Sequence, residues 1–276
     1  FVRNAIEAGA VAALVSEEKA NKLSGLPLFV VRDALGALGD LARFARQRST
    51  AKIIAVTGSV GKTTTKQALE TVLSSFGETY ASIKSYNNHW GVPLTLGRLP
   101  KDAEFGVFEM GMNPAGEIEP GVNIGRPHVA VITTIAPVHL EFFDSVADIA
   151  AAKAEIFSGL EPAGTVVLNQ DNEFFAFLKS EAERAWAGKV LSFGAGPEAD
   201  AQLLDFVLNE DGSIVDAKVF GEELVFAMPT TGRYLAENAM AVLLAADALG
   251  ANRNNVAQAL SNFQLMGGRG AREKLS

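Results

Sequence analysis

The strongest constraint on the fold is a segment, residues 53–65, in which an apolar strand leads into a glycine-rich loop and then into a helix. Gly58 and Gly61 allow backbone N–H groups to point at phosphate oxygens, and the helix N-terminus adds the positive end of its dipole. Lys62 can neutralise terminal phosphates, and the Thr63 hydroxyl can reach Mg²⁺. The loop, Gly-x-x-Gly-Lys-Thr, is shorter than the general phosphate-loop pattern, and the alternative is an ordinary strand-to-helix turn. The segment predicts a phosphate-binding loop made of Gly58, Ser59, Val60, Gly61, Lys62, Thr63 and Thr64.

The rest of the chain predicts an α/β fold. From residue 52 onward, short β-branched runs alternate with helical patterns, which is typical of βαβ units and a mainly parallel sheet with flanking helices. A turn at residues 209–212 indicates an antiparallel hairpin within residues 205–228, so a small part of the sheet is expected to be antiparallel. A last helix over residues 235–249 is predicted to stop at Gly250. The strands predicted for the parallel part are residues 53–57, 105–109, 129–133, 165–168 and 190–193.

Composition excludes several classes of protein. The 276 residues include 26 Gly, 10 Pro and no Cys, and 48% are hydrophobic, so a folded protein with a sizeable core is expected. The absence of Cys excludes thiol nucleophiles and zinc–thiolate or iron–sulfur sites. A formal charge of -8 with scattered basic residues disfavours nucleic-acid binding. The longer apolar stretches, such as residues 129–135, are far below the roughly 20 residues of a membrane helix, so no membrane span is expected.

Two polar residues are predicted at the carboxyl edge of the sheet, where ligands bind in such folds. Glu109 ends an apolar strand, and beside a phosphate loop we favour a Mg²⁺ ligand over a solvated strand end. His139 follows the strand at residues 129–133, and the residues alone leave both a structural histidine and a metal ligand open. His128 precedes that strand and is expected at the opposite edge.

Lys153 interrupts the apolar face of a predicted helix, in line with Ile149, Ile156 and Leu160. Its side chain can extend along that face and keep the ammonium in water. Alternatively, partial burial lowers the pKa of the lysine and supplies a neutral amine for covalent chemistry. The residues alone leave both interpretations open.

Amide side chains mark two further candidate positions. Asn87 and Asn88 begin a segment, residues 87–93, whose Asn pair and Gly-x-Pro are typical of a loop. Turn chemistry explains these residues, and an exposed Trp90 beside two amides also suits a recognition loop. Asn238 lies on the packed face of the last predicted helix, where it needs a partner from the backbone or from a ligand.

Taken together, these motifs resemble the Mur ligase family, in the family's order along almost the whole chain. The shortened phosphate loop is the family's own form. The Asn-Asn-x-x-Gly-Val-Pro and Glu-Met-Gly segments are similar to the branch of the family that adds D-alanyl-D-alanine. The stretches that carry the resemblance are residues 56–66, 86–96, 108–113, 115–118, 137–141, 152–160 and 238–239.

The resemblance implies an ATP-dependent amide ligation in the synthesis of peptidoglycan precursors. D-alanyl-D-alanine would be joined to a UDP-muramoyl peptide, UDP-N-acetylmuramoyl-tripeptide, through an acyl phosphate. The expected cofactors are ATP and Mg²⁺, and the expected protein is a cytoplasmic monomer that binds small molecules rather than nucleic acid.

The resemblance also implies roles for individual residues. Thr63 and Glu109 would hold one Mg²⁺, and His139 and a carbamylated Lys153 would help to hold a second. Lys62, Lys153 and His139 would take part in catalysis. The remaining implied contacts are those of Asn238 and Arg269 with the nucleotide and of Asn87 and Asn88 with substrate.

Three parts of the chain are expected from the resemblance. Residues 1–47, predicted as helix up to residue 15, strand and then helix, resemble the tail of a uridine-nucleotide substrate domain. Residues 48–270 resemble the central ATP-binding domain, and residues 271–276 resemble the start of a link to a C-terminal domain. We expect such a piece of a longer protein to bind Mg-ATP without ligating efficiently by itself.

Alternatives of two other classes remain. One is a different P-loop enzyme, such as a small-molecule kinase, which has no need of Lys153, or a folylpolyglutamate-type ligase, which is expected to lack the Asn87–Asn88 loop. The other is a non-catalytic nucleotide-binding module that acts through partners and would tolerate changes of Glu109. The sequence also departs from the family at residues 232–235, Gly-Arg-Tyr-Leu, where Gly-x-His-Asn is usual.

Overall fold

The computed structural model describes residues 1–82, 86–138, 140–185 and 188–265. Strands and helices alternate along most of this length. The helices are α1 Val2–Glu7, α2 Glu17–Ala20, α3 Ala34–Gln47, α4 Lys62–Leu73, α5 Gly91–Gly97, α6 Ile118–Gly125, α7 Val146–Ala154, α8 Phe175–Ala185, α9 Arg233–Ala248 and α10 Arg253–Leu260. The strands are β1 Ala13–Ser16, β2 Leu28–Val31, β3 Lys52–Thr57, β4 Thr79–Ala81, β5 Phe105–Glu109, β6 Val129–Ile132, β7 Thr165–Asn169, β8 Lys189–Gly194, β9 Ala201–Leu208, β10 Ser213–Val219 and β11 Glu222–Met228.

The main sheet has the strand order β11-β10-β9-β8-β7-β6-β3-β5-β4. The strands from β9 to β4 pair in parallel, and β9, β10 and β11 pair with one another in antiparallel fashion. The predicted α/β fold with a mainly parallel sheet and a small antiparallel portion is therefore confirmed. Because parallel strands end at the same edge, the carboxyl ends of β3, β5 and β6 lie side by side.

Strand β3 is buried on both faces, which explains why its sequence is continuously apolar rather than alternating. Ile54 and Val56 join a core that contains residues of α4, α9 and α10. Ile53 and Ala55 join a second core, on the opposite face, that contains residues of α5, α6, α7 and α8. The chain thus forms three layers, with the sheet between two layers of helices.

One prediction for the N-terminal residues is wrong. The alanine-rich stretch up to residue 15 was expected to be helical, yet Ala13–Ser16 forms β1 and pairs in parallel with β2. Strand pairing outweighs the helix propensity of alanine here. The following helix, α3, packs against α5 and α6, and the buried Arg46 donates a 2.7 Å hydrogen bond to the carbonyl oxygen of Gly125.

Two further predictions need correction. The loop expected over residues 87–93 overlaps a helix, because α5 begins at Gly91. The expected hairpin is a three-stranded unit, since a second turn at Phe220 and Gly221, both with positive φ, connects β10 to β11. Gly250 follows α9 as predicted, with φ of 94°. Along the described part of the chain, none of the helices combines the length and apolar character needed to cross a membrane.

Candidate nucleotide-binding site

The glycine-rich loop joins the end of β3 to the first residue of α4, as the sequence predicts. Gly58 has φ of 145° and Gly61 has φ of 86°, both in the region that favours glycine. A Cβ at Gly58 would collide with the hydroxyl of Thr133, and a Cβ at Gly61 would lie 2.8 Å from the Asn238 amide nitrogen. Only glycine therefore fits this loop without displacing the groups around it.

The loop is fastened to the segment that follows β6. The Ser59 N–H donates to the Thr134 carbonyl at 2.8 Å, and its hydroxyl donates to the Ala136 carbonyl at 3.0 Å. The same hydroxyl accepts the Ala136 N–H at 2.9 Å. The Thr133 hydroxyl donates to the Val60 carbonyl at 2.5 Å. These bonds hold the loop open towards the carboxyl edge of the sheet.

Cationic and hydroxyl groups follow at the start of α4. The Lys62 ammonium folds back over the loop and donates to the carbonyls of Gly58 at 2.8 Å and Ser59 at 3.4 Å. The Thr64 hydroxyl donates to the Gly61 carbonyl at 2.9 Å. This arrangement places a positive charge beside a helix N-terminus, which is the chemistry that binds phosphate groups.

A buried carboxylate links the loop to β5. Glu109, 2% exposed, accepts a 2.8 Å hydrogen bond from the Thr63 hydroxyl on one oxygen and a 2.7 Å hydrogen bond from the Asn87 amide on the other. Two adjacent ligands of an octahedral Mg²⁺ lie about 2.9 Å apart, because each bond is 2.0–2.1 Å long. The Thr63 and Glu109 oxygens have the chemistry and the separation that this cation requires.

These residues surround a cavity of about 700 Å³, which is large enough for a nucleotide. Its walls come from the loop and the start of α4, from the ends of β5 and β7, from the segments before α5 and after β6, and from the first two turns of α9. The described residues that line it are Ser59, Val60, Gly61, Lys62, Thr63, Thr64, Asn87, Glu109, Thr133, Thr134, Asn169, Tyr234, Glu237 and Asn238.

Lys153 is buried in α7, with 1% of its surface exposed. Ile149 and Ile156 on the same face are also buried, so the interpretation in which the ammonium reaches water is wrong. Burial, and to a smaller extent the positive charge of Lys62, lowers the pKa of Lys153 to about 7. A substantial fraction of this lysine is therefore a neutral amine at neutral pH.

The two adjacent asparagines, which the sequence treats alike, have different contacts in the structure. Asn87 lines the cavity, but the Asn88 side-chain oxygen accepts the N–H groups of Trp90 at 3.2 Å and Gly91 at 2.8 Å, and so caps α5. His128 lies at the opposite edge as expected, where its Nδ1 accepts the N–H of Ile53 at 3.0 Å.

Some expected site residues cannot be placed, and others were not expected. His139 and Arg269 lie outside the described residues. Within the described ranges, no three His, Asp or Glu side chains gather as a metal site. Sequence reasoning did not single out Thr133, which lines the cavity. The Thr pair after β6 was the available signal.

Known proteins are similar to this chain over almost all of its length. Residues 56–246 match the Mur ligase middle domain. The UDP-N-acetylmuramoyl-tripeptide--D-alanyl-D-alanine ligase of Rickettsia prowazekii is 33% identical over 271 residues, which are 98% of this chain and 60% of that protein.

Two solved structures extend this comparison. The crystal structure of MurF from Acinetobacter baumannii superposes with a TM-score of 0.87 at 31% identity, covering 98% of this chain and 57% of the other. The crystal structure of MurF ligase from Thermotoga maritima in complex with ADP superposes with a TM-score of 0.85 at 27% identity, covering 99% and 62%. This chain spans about three fifths of the length of these relatives. With a phosphate loop of the family's form and a middle-domain match over most of its length, the chain belongs to the Mur ligase family.

Proposed function

We propose that this chain carries the ATP-binding domain of a ligase that joins D-alanyl-D-alanine to UDP-N-acetylmuramoyl-tripeptide. The observation that carries the proposal is the Thr63–Glu109 hydrogen bond beside the glycine loop, because it combines a phosphate site with a Mg²⁺ site in one cavity. The name of the Rickettsia prowazekii relative supports the choice of substrates. The ADP in the Thermotoga maritima structure supports the choice of nucleotide.

In this proposal, residues 58–64 hold the phosphates of ATP. Residues 59–64 line the cavity beside the N-terminus of α4, and the Lys62 ammonium would turn from the loop carbonyls towards the terminal phosphate. Asn238, whose amide approaches Gly61, would contact the adenine, and Arg269 is assigned to the nucleotide by resemblance alone.

Mg²⁺ is assigned to the hard oxygen donors of the site. Thr63 and Glu109 would hold one ion, and the 2.8 Å separation of their oxygens supports this role. His139 and a carbamylated Lys153 would help to hold a second ion. The buried amine of Lys153, whose pKa is about 7, supports carbamylation because CO₂ reacts with neutral amines. Bound cations would offset the negative charge of the transferring phosphoryl group.

The proposed reaction has two steps. The terminal carboxylate of the acceptor peptide attacks the γ-phosphate of ATP, which releases ADP and leaves an acyl phosphate. The amine of D-alanyl-D-alanine then attacks the acyl carbon, loses a proton and displaces inorganic phosphate, which leaves the new amide. Lys62 would stabilise charge in the first step. Asn87 is placed to contact substrate, and Asn88 would do so only through its amide nitrogen, because its oxygen caps α5.

The proposal includes the arrangement of the whole protein. Residues 1–47 would belong to a uridine-nucleotide substrate domain, residues 48–270 to the ATP-binding domain and residues 271–276 to a link towards a C-terminal domain. Because the reaction consumes ATP, we place the protein in the cytoplasm, and we propose that it acts as a monomer.

Calorimetric titration with a non-hydrolysable ATP analogue and Mg²⁺ tests this function. We expect the unaltered chain to bind and Lys62→Ala to bind at least about tenfold more weakly, since a charged contact to phosphate is lost. Lys179→Ala, an exposed lysine in α8, is the matched control and should bind normally. Equal binding by Lys62→Ala, or no binding by the unaltered chain, would contradict the proposal.

A further inference from the structure

Lys66 is a buried charged residue that the proposed function does not use. It lies in α4, three residues after Thr63, and is 1% exposed. A lysine is almost never fully buried unless the protein supplies partners for its ammonium. The Lys66 Nζ donates a 2.6 Å hydrogen bond to the carbonyl oxygen of Ser82, the residue that follows β4. This contact joins the helix of the phosphate loop to the strand that neighbours β5.

The hydrogen bond from Lys66 replaces a bond of the sheet. β4 and β5 pair in parallel with Ala81 opposite Val107, and the Ser82 N–H continues this pattern by donating to the Val107 carbonyl at 3.1 Å. In a parallel pair, the next bond runs from the Glu109 N–H to the Ser82 carbonyl. Instead, the Glu109 N–H donates to the Ser82 hydroxyl at 3.4 Å, and the carbonyl accepts from Lys66. Lys66 therefore determines how the chain leaves the sheet beside Glu109.

Glu109 is held at its backbone and at its side chain by the stretch that Lys66 anchors. Its N–H donates to the Ser82 hydroxyl, and its carboxylate accepts the 2.7 Å hydrogen bond from the Asn87 amide, five residues farther along the chain. The Asn87 carbonyl accepts the N–H of Gly111 at 2.8 Å, just after β5. The position of the Glu109 carboxylate thus depends on the residues that follow β4.

Stability alone does not explain a lysine at this position. Burial of an ammonium costs hydration free energy, and replacement of buried charged groups by apolar side chains of similar volume is often neutral for stability. Methionine has a similar length, but it cannot donate to the Ser82 carbonyl. By contrast, partners that orient a metal ligand contribute about 10-fold to 100-fold to metal affinity. A lysine that fixes the surroundings of Glu109 is therefore expected to affect cation binding.

We propose that Lys66 is a positioning residue for Glu109, and that it sets the affinity for Mg²⁺ by fastening Ser82 to α4. The inference rests on the proposed function, since it requires Mg²⁺ at Glu109. Lys66 acts through Ser82 and contacts neither the phosphates nor the cation. Its loss would therefore weaken the binding of Mg²⁺ and leave the binding of phosphates by the glycine loop unchanged.

The Mg²⁺ effect, defined as the ratio of the ATP-analogue affinities with and without Mg²⁺, measures this role by calorimetry. Lys66→Met removes the donor and keeps an unbranched side chain. We expect this variant to lower the Mg²⁺ effect about tenfold and to bind the analogue without Mg²⁺ as the unaltered chain does. Lys179→Met, at an exposed position of α8, is the matched control and should retain the full Mg²⁺ effect.

Two further variants test whether Lys66 acts through Glu109. In Glu109→Gln the Mg²⁺ effect is already reduced, so addition of Lys66→Met should reduce it little further. An equal reduction in both backgrounds would mean that the two residues act independently, and the inference would fail. Ser82→Ala removes the acceptor of the Glu109 N–H without changing Lys66, and it should also lower the Mg²⁺ effect.

Thermal unfolding of each variant distinguishes loss of the fold from loss of the cation site. If Lys66→Met folds and keeps the Mg²⁺ effect, Lys66 serves the fold alone, and the inference fails while the proposed function stands. If Lys66→Met does not fold, Ser82→Ala decides, because an unchanged Mg²⁺ effect in that variant overturns the inference. If the unaltered chain shows no Mg²⁺ effect, the proposed cation site at Glu109 fails together with it.

Discussion

The Thr63 hydroxyl donates a 2.8 Å hydrogen bond to the Glu109 carboxylate, which joins the first turn of α4 to the end of β5. The two residues are 46 positions apart in the chain. Their contact exists because β3 and β5 are parallel neighbours, so that the loop after one strand and the last residue of the other meet at one edge of the sheet.

Replacement of Glu109 tests whether its carboxylate, together with Thr63, holds Mg²⁺. Glu109→Gln keeps the shape and removes the charge, so we expect the fold to persist and the effect of Mg²⁺ on ATP-analogue affinity to fall about tenfold or more. Titrations with and without Mg²⁺ measure this effect. Glu119→Gln, an exposed residue of α6, is the charge-matched control. An unchanged Mg²⁺ effect in Glu109→Gln would show that this carboxylate does not hold the cation.

Two glycines have the same backbone conformation but differ in the space around them, so substitutions there can distinguish backbone strain from steric contact. Gly61 and Gly116 both have φ of 86°, but a Cβ at Gly61 would meet Asn238, whereas a Cβ at Gly116 meets nothing within 4 Å. We expect Gly61→Ala to be less stable than Gly116→Ala by about 1 kcal/mol or more, because it adds overpacking to the same strain. Denaturant unfolding measures the difference, and nucleotide affinity should fall only in Gly61→Ala. Equal losses of stability would show that Asn238 moves aside freely.

Substitution of the two asparagines before α5 should have different effects on stability and on nucleotide affinity, because the two side chains have different contacts. Asn88→Ala removes a helix cap and should lower the free energy of unfolding by about 1 kcal/mol, with nucleotide affinity unchanged. Asn87→Ala removes a hydrogen bond to Glu109 and should weaken Mg-ATP binding. Unfolding and calorimetry on both variants provide the comparison. The reverse pattern would mean that Asn88, rather than Asn87, serves the cavity.

The buried Lys153 makes stability depend on pH. Its pKa is 10.5 when unfolded and about 7 in the folded chain, so between these values the unfolded chain binds more protons. Stability should therefore rise with pH from about 7 towards 10, by up to about 1.4 kcal/mol per pH unit, and level off below pH 7. Subtracting the unfolding free energy of Lys153→Met at each pH isolates this contribution. Lys179→Met, at an exposed position, should show no such difference, and a flat profile for Lys153 would mean that it has an ordinary pKa.

Carbamylation of Lys153 can be observed directly. In ¹³C-labelled bicarbonate near pH 8, with Mg²⁺ and an ATP analogue, the unaltered chain should show a carbamate ¹³C signal, because the amine is neutral and bound cations favour the carboxylate product. The signal should vanish in Lys153→Met and persist in Lys179→Met. A signal that survives in Lys153→Met belongs to another amine and would contradict the assignment.

The parts of this site that the sequence predicts are those that local chemistry determines. The phosphate loop was predictable from Gly58, Gly61 and Lys62, because these residues are close in sequence and their spacing is compatible with only a few local structures. The helical spacing of Lys153 with Ile149 and Ile156 predicts the face that these residues share, but it leaves open whether the Lys153 ammonium is buried.

The parts that the sequence did not predict depend on distant partners. Ala13–Ser16 becomes a strand only because β2 lies beside it. Asn87 and Asn88 are adjacent and chemically identical, yet one contacts Glu109 and the other caps α5. Tyr234 and Asn238 line the cavity because α9 packs against the sheet with Asn238 beside Gly61, a contact between residues that are far apart in the chain.

The bonds between Ser59 and the segment after β6 bear on the thermodynamics of ligand capture. Because both the N–H and the hydroxyl of Ser59 form hydrogen bonds within the protein, the phosphate loop takes its shape when the chain folds rather than when a ligand binds. A preorganised loop loses little conformational entropy when a ligand arrives, so more of the contact energy is expressed as affinity. The affinity for phosphates therefore depends on the hydrogen bonds between the loop and the segment after β6. Loss of the bonds between Ser59 and the Ala136 backbone would weaken nucleotide binding, although neither bond involves the nucleotide.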